Sequence, residues 1–179
     1  MIGLSFELAR REHAKAIESM RRASADDLTL KLGPGHWSGS NRIRSIRERI
    51  DCADPEALRR TTLYVAGNEG EAVGSVAVST FPPGFWKRSL WQEPKAVGLG
   101  VFNLVVFPEY QGMGIGRFLM EGVERLATVR NIPFVRLDAY TANPYSTDFY
   151  RHLGYDDRGS IEVRTVGLIL FEKAISTAI

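Results

Sequence analysis

Residues 111–116, with the sequence QGMGIG, could bind a phosphate group through the backbone alone. Glycines at positions 112, 114 and 116 would let an anion approach the main chain without obstruction by side chains. An amphipathic helix is predicted directly after them, and the N–H groups in the first turn of a helix have no intrahelical partners. The segment therefore predicts a binding site for phosphate oxygens.

Two common phosphate-binding motifs do not fit this segment. A dinucleotide-binding fingerprint would need its third glycine at position 117, which is Arg117, and a P-loop would need a Gly-Lys-Ser/Thr ending that is absent. At this point the glycines could also serve only to make a tight turn from a strand into a helix.

A second group of polar residues lies downstream, where Asn143 and Pro144 are typical of an N-cap and a first helical residue. Ser146 and Tyr150 are four residues apart and share one face of this helix. The phenol of a tyrosine has an unperturbed pKa of about 10, so it stays protonated at neutral pH and could donate a proton. A second face is predicted to pack on a sheet; its members are Tyr145, Phe149 and Leu153.

The strands and helices that must position these residues alternate along the chain, which favours an α/β fold. Strands are predicted at residues 5–8, 62–66, 72–79, 97–107 and 134–140, with a final strand or strand pair at 161–171. Helices are predicted over residues 12–24 and 43–50, shortly after Asp54-Pro55, after Gly112, and after Asn143 until Gly154. Asn68-Glu69-Gly70 should turn the second and third strands into a hairpin.

Composition sets outer limits on the function. The 179 residues suffice for one domain, and a net charge of +2 gives no reason to expect nucleic acid or membrane partners. Cys52 is the only cysteine, so no intrachain disulfide can form; we expect it to be a packing residue in a reducing cytoplasm. The apolar runs at 101–107 and 166–171 are too short to span a bilayer. No His, Cys or acidic residues cluster at the spacing typical of metal ligands, so the sequence predicts no metal site.

Residues 103–116, NLVVFPEYQGMGIG, and residues 142–155, ANPYSTDFYRHLGY, resemble two motifs of the GNAT superfamily of N-acetyltransferases. The cofactor loop of that family reads Arg or Gln, two variable residues, Gly, one variable residue, and Gly or Ala, which Gln111, Gly114 and Gly116 match. The resemblance is specific over residues 97–155, the implied cofactor-binding core, and extends to residues 1–179 by element order. It implies one GNAT-like domain with a mixed, mostly antiparallel sheet flanked by helices, and acetyl-coenzyme A (acetyl-CoA) as acetyl donor.

The resemblance also assigns residues to the cofactor. In the family the strand before the loop splays from the next strand and the pantetheine arm lies in the gap, where its backbone partners would be Leu104 and Val106. Asn143 and, on the adjoining helix face, Ser146 would contact the cofactor, and Tyr150 would protonate the departing thiolate. The backbone amides of the loop would hold the pyrophosphate; they belong to Gln111, Gly112, Met113, Gly114, Ile115, Gly116 and Arg117.

The sequence does not identify a general base. Many family members carry a glutamate on the strand before the loop, whereas this strand offers Asn103, which cannot accept a proton at neutral pH. The remaining candidates are Asp138, Tyr140, His36 and Glu162. The acceptor pocket is expected in the loops at 33–40 and 81–94. Their larger side chains could line a pocket or cap the core, and Trp91 is expected to cap; they are His36, Trp37, Phe85, Trp86 and Trp91.

These expectations combine into direct transfer of an acetyl group, in a ternary complex, to a primary amine of a small molecule or peptide. The alternatives are a non-catalytic acetyl-CoA sensor and an interaction module in which the loop only turns the chain. A longer acyl group or a hydroxyl acceptor is also compatible with the sequence. The apolar final strand, residues 165–171, could pair across a homodimer.

Overall fold

Strands and helices alternate in the computed structural model, which describes residues 3–39 and 46–176. The strands are β1 (Leu4–Leu8), β2 (Thr62–Asn68), β3 (Glu71–Ser79), β4 (Gly98–Val106), β5 (Phe134–Tyr140), β6 (Asp156–Val163) and β7 (Val166–Ala174). The α-helices are α1 (Ala14–Leu32), α2 (Ile46–Asp51), α3 (Ile115–Val129) and α4 (Pro144–His152). Short 3-10 turns lie at Arg11–His13, His36–Gly39, Arg88–Leu90 and Pro108–Tyr110.

The strands form a seven-stranded sheet in the order β1-β2-β3-β4-β5-β7-β6. Strand β4 pairs with β5 in parallel, whereas the β1–β2, β2–β3, β5–β7 and β6–β7 pairs are antiparallel. The predicted α/β fold with a mixed, mostly antiparallel sheet is therefore confirmed. Because β7 has a partner on each side, the predicted pairing of this strand across a dimer is wrong, and the homodimer itself stays a prediction.

The chain divides into two compact units, the first of which contains residues 1–78 and 103–122. Its core is built on helix α1, whose Ile17 and Met20 are fully buried. The start of α3 packs directly on β3, because a Cβ atom at Gly74 would lie only 2.9 Å from Ile115 and Leu119. These two α3 residues belong to the apolar stripe expected from their spacing.

The second unit contains residues 79–102 and 123–179. Strands β5 and β7 form its centre, where Leu137, Leu170 and Phe171 are almost completely buried. The final segment forms the antiparallel pair β6–β7, so the strand pair expected near the end of the chain is confirmed.

The hairpin turn expected at Asn68-Glu69-Gly70 is confirmed, whereas the first helix is longer than expected. Glu69 and Gly70 have φ angles of 50° and 88°, as a tight hairpin turn between β2 and β3 requires. Helix α1 continues past the expected end near Ser24, because the first residue that breaks it is Gly33, at φ 83°. The predicted second helix is α2, which begins at Ile46, while Ser40 and Ile43 lie outside the described residues.

Two other expectations are wrong. The segment after Asp54-Pro55 makes a single turn and no helix, closed by a 2.7 Å hydrogen bond from the Leu58 N–H to the Asp54 carbonyl. Leu58 itself has φ 53°, which takes the chain out of the helical conformation. Cys52 is exposed, so it is not the packing residue that its isolation in the sequence suggested.

Candidate functional site

The glycine-rich loop follows β4 and is open to solvent. Gly112 and Gly114 have φ angles of 79° and 83°, a left-handed conformation that side-chain-bearing residues rarely adopt. No atom lies within 4 Å of a Cβ placed on either glycine, so the space beside the backbone is free. Met113 between them is 55% exposed. The loop therefore presents its main chain to the outside.

Helix α3 begins at the end of this loop. The Phe118 N–H donates to the Gly114 carbonyl over 2.9 Å, which closes the first turn. The N–H groups of Ile115, Gly116 and Arg117 precede that bond and so have no acceptor within the helix. Together with the positive end of the helix dipole, they form the kind of site that binds phosphate oxygens.

Strand β4 pairs with β5 over only the first half of its length. Its parallel register with β5 runs from Gly98 opposite Phe134 to Val101 opposite Leu137, although β4 continues to Val106. Asn103 is exposed and has φ 49°, so the backbone departs here from regular strand geometry. The break falls at the residue where the resemblance implies a glutamate in many members of the family.

The strand's last residues are the predicted partners of the cofactor arm. Leu104 and Val106 are both half-buried. The Val106 carbonyl already accepts hydrogen bonds from the Ser24 hydroxyl at 3.2 Å and from the Gln111 side-chain amide at 3.3 Å. Because a carbonyl has two lone pairs, a further contact at Val106 would fall to its N–H.

In the second unit, Asn143 caps helix α4. Its side-chain oxygen accepts from the Ser146 N–H at 3.4 Å, and its carbonyl accepts from the Ser146 hydroxyl at 3.0 Å. The predicted N-cap is confirmed. Asn143 is 7% exposed, and the structure leaves its side-chain amino group as the part that could meet a cofactor.

Tyr150 lies on α4 among aromatic rings and is 8% exposed. Its ring centroid is 5.9 Å from that of Phe171 and 6.0 Å from that of Tyr155. No described residue forms a hydrogen bond with its hydroxyl, which is therefore available to a ligand. Burial raises the pKa of the phenol well above its ordinary value, and the Asp138 carboxyl raises it further.

The predicted packing face of α4 is partly wrong. Tyr145 was expected to pack on the sheet but is 59% exposed, while Thr147 and Tyr150 are buried. The buried stripe instead follows Asn143, Thr147 and Tyr150, whose spacing of four and three residues also defines a helix face. The tyrosine assigned to chemistry therefore also packs in the core.

Asp138 on β5 is half-buried in the second unit. Its Oδ1 accepts a 2.6 Å hydrogen bond from the Trp86 indole Nε1–H. Burial raises the pKa of the Asp138 carboxyl, and the Trp86 hydrogen bond opposes that rise. Burial and Asp138 also raise the pKa of Tyr140. Of the four candidate bases, Asp138 and Tyr140 are two residues apart on β5 and so project to the same face of the sheet.

The two other candidate bases have exposed side chains. Glu162 is an exposed residue of β6 in the same unit. His36 is an exposed residue of the first unit, where it begins the 3-10 turn His36–Gly39.

The loop at 81–94 is built around a tryptophan cluster, formed by Trp86, Trp91, Phe102 and Leu170. The Trp86 ring stacks on Phe102 with centroids 5.6 Å apart and meets Trp91 edge-on at 5.5 Å. Trp91 is 3% exposed, so its expected capping role is confirmed, and Trp86 shares that role at 5%. Phe85 is 46% exposed, and Trp37, in the first unit, is buried.

A cavity of about 370 Å³ opens beside this cluster. Three basic residues and two tryptophans contribute to its walls, and no acidic residue does; they are Arg88, Lys95, Arg136, Trp86 and Trp91. The cavity lies where an acceptor loop was expected from the sequence, but its role as acceptor site stays a prediction.

Sequence reasoning missed a buried ion pair that holds this loop. Arg136 Nε lies 2.7 Å from Glu172 Oε2, with side chains only 7% and 2% exposed. The same guanidinium donates to the carbonyls of Glu93 and Ala96, each at 2.9 Å, while Glu172 accepts from the Gln92 N–H at 2.8 Å. The sequence does contain a signal that could have indicated this pair, namely the polar residues that alternate at positions 136, 138 and 140 of an otherwise apolar strand.

Within residues 3–39 and 46–176, no three His, Cys, Asp or Glu side chains come close enough together to hold a metal ion. In the same part of the chain, no helix combines the length and apolar character that crossing a bilayer requires.

The chain is similar to known acetyltransferases. The model of the acetyltransferase (GNAT) family matches residues 25–155. Among solved structures, a GNAT acetyltransferase from Listeria monocytogenes is 16% identical, with a TM-score of 0.71 and coverage of 98% of both chains. PaiA N-acetyltransferase from Thermoplasma acidophilum, in complex with coenzyme A, is 15% identical with a TM-score of 0.69, covering 97% of this chain and 99% of that chain. No functionally curated protein is significantly similar in sequence.

Proposed function

Because the chain belongs to the GNAT acetyltransferase family, we propose that it transfers an acetyl group from acetyl-CoA to a primary amine of a small molecule or peptide. Transfer would be direct, within a ternary complex of protein, donor and acceptor. Acetyl-CoA supplies a thioester, whose carbonyl carbon accepts a nucleophile and whose thiol is the leaving group. Cys52 is exposed and lies far in sequence from the cofactor loop, so we propose no covalent acyl-enzyme.

The observation that carries this proposal is the open loop at the start of α3. A pyrophosphate needs backbone donors and room beside them, and Gly112 and Gly114 leave both. We assign the pyrophosphate to the amides from Gln111 to Arg117, and the pantetheine arm to the backbone of Leu104 and Val106. The structurally similar PaiA protein was solved in complex with coenzyme A, which supports coenzyme A as the ligand.

Tyr150 and the start of α4 are assigned to the thiol end of the donor. A phenol whose pKa is raised by burial holds its proton throughout the physiological range. Tyr150 would therefore donate a hydrogen bond to the sulfur as negative charge develops there. The Asn143 amino group and the Ser146 side chain would hold the neighbouring part of the arm.

Two measurements, made one after the other, test the proposal. Calorimetry with coenzyme A should show binding, and incubation with acetyl-CoA and a panel of amines should release free thiol faster than an enzyme-free control. We use ethylamine, ethanolamine, L-lysine, spermidine and the dipeptide Ala-Gly as the panel. If coenzyme A binds but none of the amines causes release of free thiol, catalysis is contradicted. If coenzyme A does not bind, the site itself is contradicted.

A further inference from the structure

We propose that Arg21 binds a carboxylate of the acceptor, so that the substrate class is a primary amine that also carries a carboxyl group. The inference rests on the proposed acetyl transfer and narrows its acceptor. It gives a role to a buried guanidinium of the first unit that neither the cofactor loop nor the packing of the fold accounts for.

Arg21 belongs to the stripe of helix α1 that faces the core. Counted from Ile17, the residues Met20, Arg21 and Ser24 follow at three, four and seven positions, which is the spacing of one helix face. Ile17 and Met20 are fully buried, and the Nε and Nη2 atoms of Arg21 are buried as well. The guanidinium therefore lies inside the first unit rather than in solvent.

The two buried nitrogen atoms of Arg21 form a pair of donors that suits a carboxylate. Within residues 3–39 and 46–176, neither atom has a hydrogen-bond partner. Nε and Nη2 share one edge of the planar guanidinium, which can hold both oxygens of a carboxylate at once. Arg11 shows this arrangement in the same unit, since its Nε and Nη2 lie 2.6 and 2.8 Å from the two carboxyl oxygens of Asp51.

The described charges around Arg21 do not supply that carboxylate. Glu18, one turn earlier on α1, is exposed and accepts no hydrogen bond from Nε or Nη2. Burial and the charge of Arg49, on the adjoining helix α2, lower the pKa of Arg21 to about 10, and Glu18 opposes that shift. The group is still charged at neutral pH. A buried charge without a partner costs free energy, which an anionic ligand would offset.

Arg21 also lies beside the strand end that we assign to the donor. The Ser24 hydroxyl, on the same face of α1, donates to the Val106 carbonyl over 3.2 Å. Arg21 precedes Ser24 by three residues, or about 4.5 Å along the helix axis. Leu104 and Val106 are the proposed backbone partners of the pantetheine arm, so an anion at Arg21 would lie next to that arm.

The direction of α1 places Arg21 on the side of this contact that is further from the cofactor loop. Just before the helix, the Ala9 N–H donates to the Leu63 carbonyl at the start of β2 over 2.8 Å, and the start of β2 pairs with the end of β3. The beginning of β3 carries Val73, whose carbonyl accepts a 3.2 Å hydrogen bond from the residue directly after β4. Helix α1 thus advances toward the loop, and Arg21 comes before Ser24 on that path.

The donor's own phosphates are therefore not the best ligands for Arg21. The pyrophosphate is assigned to the loop amides, whereas the pantetheine arm carries no charge. The anion that meets the guanidinium would have to come from the second substrate, which must reach the thioester at the far end of the arm. A carboxylate on the acceptor satisfies both the position and the shape of the donor pair.

Acceptors that differ only in a carboxylate provide the first test. Ala-Gly and its C-terminal amide form one pair, and L-lysine and cadaverine, its decarboxylated form, are the second. In at least one pair, the wild-type kcat/KM should be about tenfold or more higher for the carboxylate, because a bidentate charged pair is among the stronger hydrogen-bonded contacts. Equal or lower values for the carboxylate in both pairs would overturn the proposal.

Variants of the guanidinium provide the second test. Arg21→Met keeps a long apolar stem in the buried stripe and should abolish the preference for the carboxylate without changing coenzyme A affinity. Arg21→Lys keeps the charge but not the planar edge, so it should lose most of the preference. The matched control is Arg22→Met, which removes an exposed arginine of the same helix and should retain the preference. Weaker coenzyme A binding in Arg21→Met alone would assign the guanidinium to the donor and overturn the proposal.

The wild-type protein offers a readout that does not depend on turnover. The Arg21 Nε–H resonance is identified by its loss in Arg21→Met. In the presence of coenzyme A it should shift on addition of N-acetyl-Ala-Gly, the product of the proposed transfer to Ala-Gly, and stay in place with the C-terminal amide of that product. Identical responses to the two compounds would overturn the assignment.

The outcomes separate this inference from the proposed function. Thiol release by the wild type without any preference for the carboxylate would overturn the role of Arg21 alone. No release with any amine would overturn the proposed transfer, while a resonance shift with the carboxylate only would still support carboxylate binding at Arg21.

Discussion

The glycine loop and the Asp138 cluster offer opposite kinds of binding group. The loop presents main-chain N–H groups around exposed glycines, with open space on the ligand side. Asp138 is a side chain fixed by a 2.6 Å hydrogen bond from Trp86, whose ring packs edge-on against Trp91. The loop's binding capacity therefore depends on local backbone conformation, whereas that of Asp138 depends on contacts between segments distant in sequence.

The difference predicts how each region responds to mutation. A substitution in the loop should change affinity for the donor with little effect on folding. A substitution of a buried polar residue in the second unit should change the stability of the protein, the rate of the reaction or both, because these residues are held by contacts with other segments. The predictions below follow this contrast in order of decreasing effect.

Glu172→Gln should cause the largest effect, a loss of about 3–5 kcal/mol in the free energy of unfolding, because it leaves the Arg136 charge buried without its partner. Urea denaturation measures it. The control is Asp148→Asn, which breaks the exposed pair with Arg151 and should cost at most about 1 kcal/mol. Similar losses in the two variants would show that the buried pair is not a special anchor.

Tyr150→Phe should lower kcat by about 10²-fold while coenzyme A affinity stays within about twofold, because only the hydroxyl that we assign to the sulfur is removed. The ring contacts with Phe171 and Tyr155 are retained. Steady-state kinetics and calorimetry measure the two quantities. An unchanged turnover rate would refute the thiol-side role.

Gly114→Val should weaken coenzyme A binding about tenfold or more, because the residue needs φ 83° and its side chain would enter the space assigned to phosphate. The backbone strain should also cost about 1–2 kcal/mol of stability. Gly70→Val is the control: Gly70 has φ 88° and open surroundings but lies in the β2–β3 turn. Equal losses of affinity in both variants would indicate a general folding defect.

Asp138→Asn should stabilise the protein at pH 7 and change little near pH 3. The folded state raises the pKa of Asp138, so folding favours the protonated carboxyl. The wild type keeps that contribution below the unfolded pKa of about 3.9 and loses it as the pH rises through the folded pKa. Urea midpoints of the wild type and the variant across this range test the sign.

The sequence predicts those parts of the site that depend on a few consecutive residues. The positive φ angles of Gly112 and Gly114 and the cap formed by Asn143 are properties of a few consecutive residues. Their types follow directly from backbone sterics and from the unpaired groups at helix ends. The α/β class follows equally well from alternating patterns along the chain.

The parts that the sequence does not predict depend on tertiary pairing. Asp138 is 52 residues from Trp86, and Arg136 is 36 residues from Glu172, and neither pair leaves a spacing pattern. The burial of Tyr150 in place of Tyr145 has a similar cause, since both alternatives are regular helix faces. Only the neighbouring elements decide which face is covered.

The buried ion pair has a consequence for motion. The Gln92 amide lies outside any strand or helix, yet it donates to a carboxylate that is 2% exposed and fixed by Arg136. Its hydrogen should exchange with solvent as slowly as those of the sheet, because release requires opening of the core. The segment from Trp86 to Gly98 would then behave as a rigid wall. An acceptor that uses it would be selected by its shape on arrival rather than by closure of a loop around it.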